Sequence, residues 1–383
     1  MAIYLDNGAT SYPKPESVPN AIMDFMNNNG ASPGRGNYMR AREAERLVYE
    51  TRKALCQLLK VKRPGRIVFT ANATDAINIA LKGFLNEGDK VLTTAYEHNA
   101  MWRPLKSLEL TRGITMKQIP CTPDGLMDLE WFEAEIKQGI NLVAVSHASN
   151  VIGCITPLKR IVSIAHAHDV PVLVDAAQTA GVYPIDVTED TPVDMMAFTG
   201  HKGLLGPSGT GGLYLREGLE LRTFREGGTG SMSSSPYQPD ESPDRYEAGT
   251  LNMIGLAGLR ASVGFLLDVG VENVRAHEIR LMELLMAGLS QIPKLTFYGP
   301  LSAQERLGLI SFNLEGHDPN KLAMQLDTDY GIMVRSGAHC APQAHRLLGT
   351  EQAGTVRASL GFFNTEKDIE KLLAALQEIA GQS

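Results

Sequence analysis

Four stretches of the 383-residue sequence set reactive side chains beside apolar runs or small residues that would present them to a cleft. In Ala197-Phe-Thr-Gly-His-Lys-Gly-Leu-Leu-Gly-Pro-Ser-Gly-Thr-Gly-Gly212, Lys202 stands between the apolar run Val193 to Phe198 and a glycine-rich stretch. An amine in a partly desolvated pocket sheds its proton more readily and can then condense with an aldehyde, whereas a plain surface turn would leave it charged and idle. Gly206 to Gly211 has the glycine spacing of a phosphate loop, but Gly212 and Leu213 stand where Lys-Ser/Thr is needed, which argues against a nucleotide site. Upstream, Val172-Leu-Val-Asp175-Ala-Ala-Gln178 is an apolar strand ending in an acid, and a buried aspartate needs a cation. The protonated ring nitrogen of pyridoxal phosphate is such a cation, and the aldehyde of the same molecule suits Lys202. The two residues lie 27 positions apart, a spacing that fits neighbouring strands of one sheet.

Val334-Arg-Ser-Gly-Ala-His339-Cys340-Ala-Pro puts a thiol beside an imidazole and near Arg335, and cationic neighbours favour thiolate. No second Cys/His pair lies near enough for zinc, and the polar flanks weigh against an inert thiol. In Thr355-Val-Arg357-Ala-Ser-Leu-Gly one arginine sits among small and apolar residues. Its planar fork suits a bidentate carboxylate, with a structural salt bridge as the competing reading.

These groups need a scaffold that gathers strand ends. From Arg66 onward strands and helices alternate: Ile67 to Thr70, Ala73 to Phe84, Lys90 to Thr94, His98 to Leu110, Leu142 to Ser146, Leu158 to His168 and Val170 to Asp175. Such alternation implies an α/β fold with a mostly parallel sheet covered by helices, its ligands at the carboxyl ends of the strands. At those ends the sequence places Thr70-Ala-Asn-Ala73-Thr74, whose amides and Thr74 hydroxyl suit a phosphate unless Asn72 or Thr74 is a plain helix cap. It also places His98, able to stack on a flat ring or to cap a helix, and Asn150, whose amide suits a carboxylate or ring oxygen. Thr199 and His201 flank Lys202 at the same edge, and Tyr246-Glu-Ala-Gly249-Thr250 precedes an apolar helix as another possible anion site.

Length and pattern divide the chain into an arm (1–16), a large domain (17–255) and a smaller C-terminal α+β domain (256–383). The arm is expected to cross the larger domain. Asn27 to Asn37 is expected to be an irregular loop whose Arg35 either reaches a site or is solvated, and 227–245 a long Gly/Ser/Pro loop of the functional or mobile kind. A net charge of −7 and a pI near 5.8 argue against nucleic acid as the main partner. No basic leader or membrane-length apolar run is read, so a cytoplasmic protein is expected. Cys56, Cys121, Cys154 and Cys340 form no Cys-x-x-Cys pair, which points to reduced thiols and no metal site.

Taken together, Tyr4-Leu-Asp-Asn-Gly-Ala-Thr, Glu97-His98, His147-x-Ser-Asn150, Asp175-x-x-Gln178, Gly200-His201-Lys202, Glu247-Ala-Gly-Thr250, Arg335-Ser-Gly-x-His-Cys340 and Arg357-Ala-Ser-Leu resemble the cysteine desulfurases and selenocysteine lyases of the class V aminotransferase group, on the fold-type I scaffold. The resemblance covers nearly the whole chain. It implies pyridoxal 5'-phosphate as cofactor, with Lys202 as the Schiff-base lysine, Asp175 on the ring nitrogen, Gln178 on the ring oxygen and His98 on the ring face. It further implies Ala73, Thr74, Thr199 and His201 around the phosphate, and Thr250 lent to a neighbouring subunit's phosphate in a homodimer with shared sites. Asn150 and Arg357 would hold the substrate carboxylate and Cys340 would take sulfur from L-cysteine, leaving L-alanine. Selenocysteine lyase and class V aminotransferase are the alternative activities. Asn72-Ala73-Thr74 stands where relatives often have Gly-Thr-Thr, one hydroxyl fewer for the phosphate.

Overall fold

The computed structural model describes residues 2–34 and 36–382. Strand β1 (Ile3–Tyr4) is followed by α1 (Ser17–Asp24), a π-helical turn over Phe25–Asn29, and α2 (Met39–Leu59). Then come β2 (Ile67–Thr70), α3 (Ala73–Phe84), β3 (Lys90–Thr94), α4 (Asn99–Arg112), β4 (Thr115–Ile119), α5 (Leu129–Ile136), β5 (Leu142–Ser146) and α6 (Leu158–His166). β6 (Val172–Asp175), β7 (Met195–Thr199) and β8 (Gly211–Leu215) complete a seven-stranded sheet of order β2-β8-β7-β6-β5-β3-β4. Only β8 is antiparallel to its neighbours, so β2, β3, β5, β6 and β7 all end at one edge. β5 to β8 are buried along their whole length, as unbroken apolar runs require when helices cover both faces.

Part of the glycine-rich stretch after Lys202 is therefore strand. A Cβ on Gly211 would stand 2.7 Å from the Asn72 Cα, and one on Gly212 would stand 2.3 Å from the Phe198 ring. The glycines let β8 lie flat between β2 and β7, which carry the site, and the apparent loop signal is a packing requirement.

The second half begins with α7 (Met253–Val269) and α8 (Val271–Leu289), followed by β9 (Leu295–Tyr298), β10 (Leu309–Leu314), α9 (Pro319–Tyr330), β11 (Ile332–Met333), β12 (Arg335–Gly337), α10 (Pro342–Leu348), β13 (Thr355–Ser359) and α11 (Glu366–Gly381). β12-β13-β10-β9 form an antiparallel sheet. Instead of ending at residue 255, the large core runs on through Leu256, Leu259, Val263 and Leu266 to Val274, because α7 packs on α1 and α2. The small core starts at Leu281 and takes in Ile3 and Leu5. The arm accordingly begins in the small unit: β1 pairs with β11, Asp6 bridges to Ser359, and the arm then reaches the large domain, Gly8 at Gln178 and Thr10 to Lys14 at His201. Among the described residues no single helix is long and apolar enough to cross a membrane; α7 and α8 together are, but they bend by 77° and line the two cores.

Candidate active site

A cavity of about 280 Å³ opens at the shared strand edge and brings together Ala73, Thr74, His98, Asn150, Asp175, Gln178, Thr199, His201 and Lys202. Each arrives by a local rule. Asn72 accepts the Asp75 amide at 2.9 Å and caps α3, which leaves the amides of Ala73 and Thr74 without intrahelical partners at the cavity. His98 caps α4 through Nδ1, accepting from the Ala100 amide at 3.0 Å, so the ring both ends a strand turn and forms a cavity wall. That acceptor role puts the neutral ring's proton on Nε2, and burial with the nearby Lys202 charge drops its pKa to about 4. Asp175 ends β6, buried, one oxygen accepting from the Ala177 amide at 2.9 Å; burial raises its pKa against the pull of that amide and of Lys202. In register Asp175 lies opposite Ala197 of β7, the neighbouring strand that leads to Lys202.

Lys202 is pushed down to about 8, chiefly by burial; Asp175 and Cys340 oppose the shift, while Arg357 and Arg335 add to it. Its peptide is clamped from the arm. The His201 carbonyl receives the Ser11 amide at 2.9 Å, the Thr10 hydroxyl at 3.0 Å and Lys14 Nζ at 3.0 Å. Gln178 Nε2 donates to the Gly8 carbonyl at 3.0 Å, which leaves one amide hydrogen for the cavity. Among the described residues, Asn150 Oδ1 and His201 Nδ1 at this cavity are buried without a partner, as is Arg357 Nε.

Arg357 points from β13 and is buried. Nη1 donates to the Asn150 carbonyl at 3.0 Å and Nη2 to Asp6 Oδ1 at 2.9 Å, so the salt bridge expected as an alternative is present while the Nε edge stays free. Asn150 Nδ2 donates to the His339 carbonyl at 2.6 Å, so one of its two amide hydrogens is committed to the segment carrying Cys340. Cys340 follows β12 with φ +58° after His339 at +48°, two consecutive left-handed residues of the strained kind found where geometry is imposed. Its carbonyl accepts the Asn99 amide at 2.7 Å, which fixes the segment over the start of α4. The His339 ring turns inward to Thr355, at 3.0 Å from Oγ1, and burial takes its pKa to about 3, so it gives the thiol no cation; the charge nearby is that of Arg335 and Arg357. Of the four free cysteines only Cys340 is exposed, and burial raises the thiols of Cys56 and Cys121 to about 11 and of Cys154 to about 12.

Thr250 is not at this cavity. It is exposed on the surface, beside a separate hollow lined by Thr70, Ala71, Asp75 and Arg225, and the helix that follows is capped by Asn252. Arg35 lies outside the described residues. Three contributors were given no role by the sequence: Lys14, and Asp6 and Glu97, which entered only as parts of the resembling motifs. Glu97 is fully buried and accepts from the Thr94 hydroxyl at 2.6 Å, the Ser146 amide at 2.9 Å and the Ser146 hydroxyl at 2.7 Å, tying β3 to β5; burial lifts its pKa to about 7. The advance signals for it were an acid next to His98 at the end of an apolar strand and its place in the resembling Glu97-His98 pair.

Residues 3–372 match the family described as Aminotransferase class-V. The chain belongs to that family. Among curated class V relatives, a probable cysteine desulfurase of Methanothermobacter thermautotrophicus is 36% identical over 385 residues, covering 99% of this chain and 95% of its own. A cysteine desulfurase of Escherichia coli is 34% identical, covering 98% and 93%. Among solved structures, the apo cysteine desulfurase of Thermococcus onnurineus superposes with a TM-score of 0.94 at 34% identity, over 100% of this chain and 95% of that one. The Escherichia coli cysteine desulfurase CsdA (S-sulfonic acid) gives 0.89 at 29%, again over 100% and 95%. Class V aminotransferases and cysteine desulfurases use pyridoxal phosphate.

Proposed function

We propose that this chain is a pyridoxal-phosphate-dependent cysteine desulfurase that converts L-cysteine to L-alanine and keeps the sulfur as a persulfide on Cys340. The observation that carries the reading is an exposed thiol whose segment is tied to the wall of the lysine's cavity, the Cys340 carbonyl accepting from Asn99 beside His98 and the His339 carbonyl accepting from Asn150 Nδ2, next to a buried arginine whose Nε has no partner among the described residues. An aminotransferase would need the lysine and arginine but no such thiol.

The residues fit the cofactor. Asp175 is a buried acid with no salt-bridge partner among the described residues, and it would face the ring nitrogen. Lys202 would take the aldehyde and His98 would cover a ring face. The free hydrogen of Gln178 would meet the ring oxygen. The amides of Ala73 and Thr74, with Thr199 and the unpaired His201 Nδ1, would hold the phosphate. Bound there, pyridoxal phosphate supplies the electron sink for breaking the carbon–sulfur bond.

The chain's own groups do the rest. Arg357 orients the substrate carboxylate through its free Nε edge, with Asn150 beside it. Lys202, with a pKa near 8, is able to carry a proton to and from the substrate carbon at neutral pH. The Cys340 sulfur attacks the substrate sulfur. As the new S–S bond forms, the C–S bond breaks, its electron pair goes to carbon, and a proton completes the methyl group of alanine. Thr250, exposed on one subunit, would reach the phosphate of a second copy, so the working unit is a homodimer acting in the cytoplasm. Holoenzyme given L-cysteine and a thiol reductant should release alanine and sulfide in equal amounts; transamination to a keto acid without sulfide would defeat the reading.

A further inference from the structure

Arg335 and Arg357 face each other in register across β12 and β13, a placement where like charges repel. One carboxylate from the far end of the chain joins them. Asp6 Oδ1 accepts from Arg357 Nη2 at 2.9 Å and from Arg335 Nε at 3.2 Å, and Oδ2 accepts from Arg335 Nε at 3.0 Å and Nη2 at 2.9 Å. Asp6 is itself fixed: the Asn7 amide donates to the Ser359 carbonyl at 3.2 Å and the Ser359 amide to Leu5 at 2.7 Å. The bonds form a closed circuit. It runs from Asp6 to Arg357, through the Asn150 carbonyl and Asn150 Nδ2 to the His339 carbonyl, and back along β12 to Arg335 and Asp6. Cys340 hangs from it next to His339.

We propose that Asp6 is a positioning residue that closes this circuit and thereby couples carboxylate recognition at Arg357 to the placement of Cys340. The proposal rests on the reading of Cys340 as the sulfur acceptor. Two guanidinium groups share one carboxylate, which leaves one positive charge to attract an incoming carboxylate. Without Asp6 the facing cations push β12 away from β13, and the side-chain tether of the segment to the arm that Asp6 and Arg335 make is lost.

The test uses Asp6→Asn and, because Arg335 lies on the half-exposed side, Arg335→Gln as a second variant should the first not fold. In single turnover with L-cysteine, persulfide on Cys340 should form at least tenfold more slowly in either holoenzyme, with the half-saturating cysteine concentration within threefold of wild type. Asp6→Glu should recover most of the rate, and the double variant should be no slower than the slower single. In apo-protein, iodoacetamide should alkylate Cys340 several-fold faster once the tether is cut. Persulfide rates within twofold of wild type, single-variant losses that multiply in the double variant, or unchanged alkylation would overturn the proposal. If wild-type enzyme forms no persulfide, the functional reading falls, and the tether is judged on alkylation alone.

Discussion

Replacing Lys202 by methionine should make the apo-protein more stable and should do so in a pH-dependent way. Lys202 is held at about 8 against an ordinary 10.5, so folding must place a charged amine where its neutral form is preferred. The difference of about 2.5 units corresponds to about 3 kcal/mol at 1.36 kcal/mol per unit. Part of the lysine still borders the open cavity, so a gain of about 2 to 3 kcal/mol is expected for the methionine variant. The sign follows from proton counting. Between the two pKa values the unfolded chain binds more protons than the native one, so wild-type stability rises with pH there. The advantage of Lys202→Met should thus be full below pH 8 and should vanish as pH approaches 10.5. Urea unfolding of both apo-proteins between pH 7 and 10 measures it. The same shift leaves roughly one amine in eleven uncharged at pH 7, about 300-fold more than for a solvated lysine. Capture of an aldehyde by wild-type apo-protein should therefore climb about tenfold per unit below pH 7, about fivefold from pH 7 to 8, and then level off. A methionine variant no more stable than wild type at pH 7, or capture still climbing steeply at pH 10, would refute the reasoning.

Three further outcomes are expected. Arg52 and Glu247 form a buried bidentate pair, with N–O distances of 2.7 and 2.5 Å, that anchors the segment leading to Thr250; Arg52→Met should cost about 3 to 5 kcal/mol in urea unfolding, and Arg52→Met with Glu247→Gln should recover most of it. Asp175→Asn should keep some cofactor yet lose most cysteine turnover, since an amide cannot hold the ring nitrogen's proton; near-normal turnover would misplace the ring. If Thr250 serves the partner's phosphate, mixing Lys202→Ala and Thr250→Ala subunits should yield heterodimers in which one of the two sites carries neither defect, with activity above that of either parent.

Much of this was legible in sequence because the sheet is buried on both faces. Ile67 to Thr70, Ala73 to Phe84 and Leu142 to Ser146 fall where the apolar runs and the Asn72 cap put them. The cavity residues were found because each ends such a run. β8 was hidden since its glycines answer to Phe198 and Asn72, which no local pattern reveals. The helix Pro319–Tyr330 and the turn of helix after Cys340 were not foreseen, and the π-helical turn Phe25–Asn29 runs into Asn27 to Asn29, the start of the stretch whose composition reads as loop. Asp6 and Lys14 were given no role for a different reason. Their partners, Arg357 and His201, lie 351 and 187 positions away, and only the folded arm brings them together.

The central claim is that sulfur passes to Cys340, and mass spectrometry of the holoenzyme given L-cysteine without reductant tests it most directly. The expected result is one added sulfur on the peptide carrying Cys340 and none on Cys56, Cys121 or Cys154, whose thiols burial keeps protonated. Cys340→Ala should bind cofactor and cysteine but form no alanine. Sulfur on another cysteine, or full alanine production by Cys340→Ala, would contradict the account.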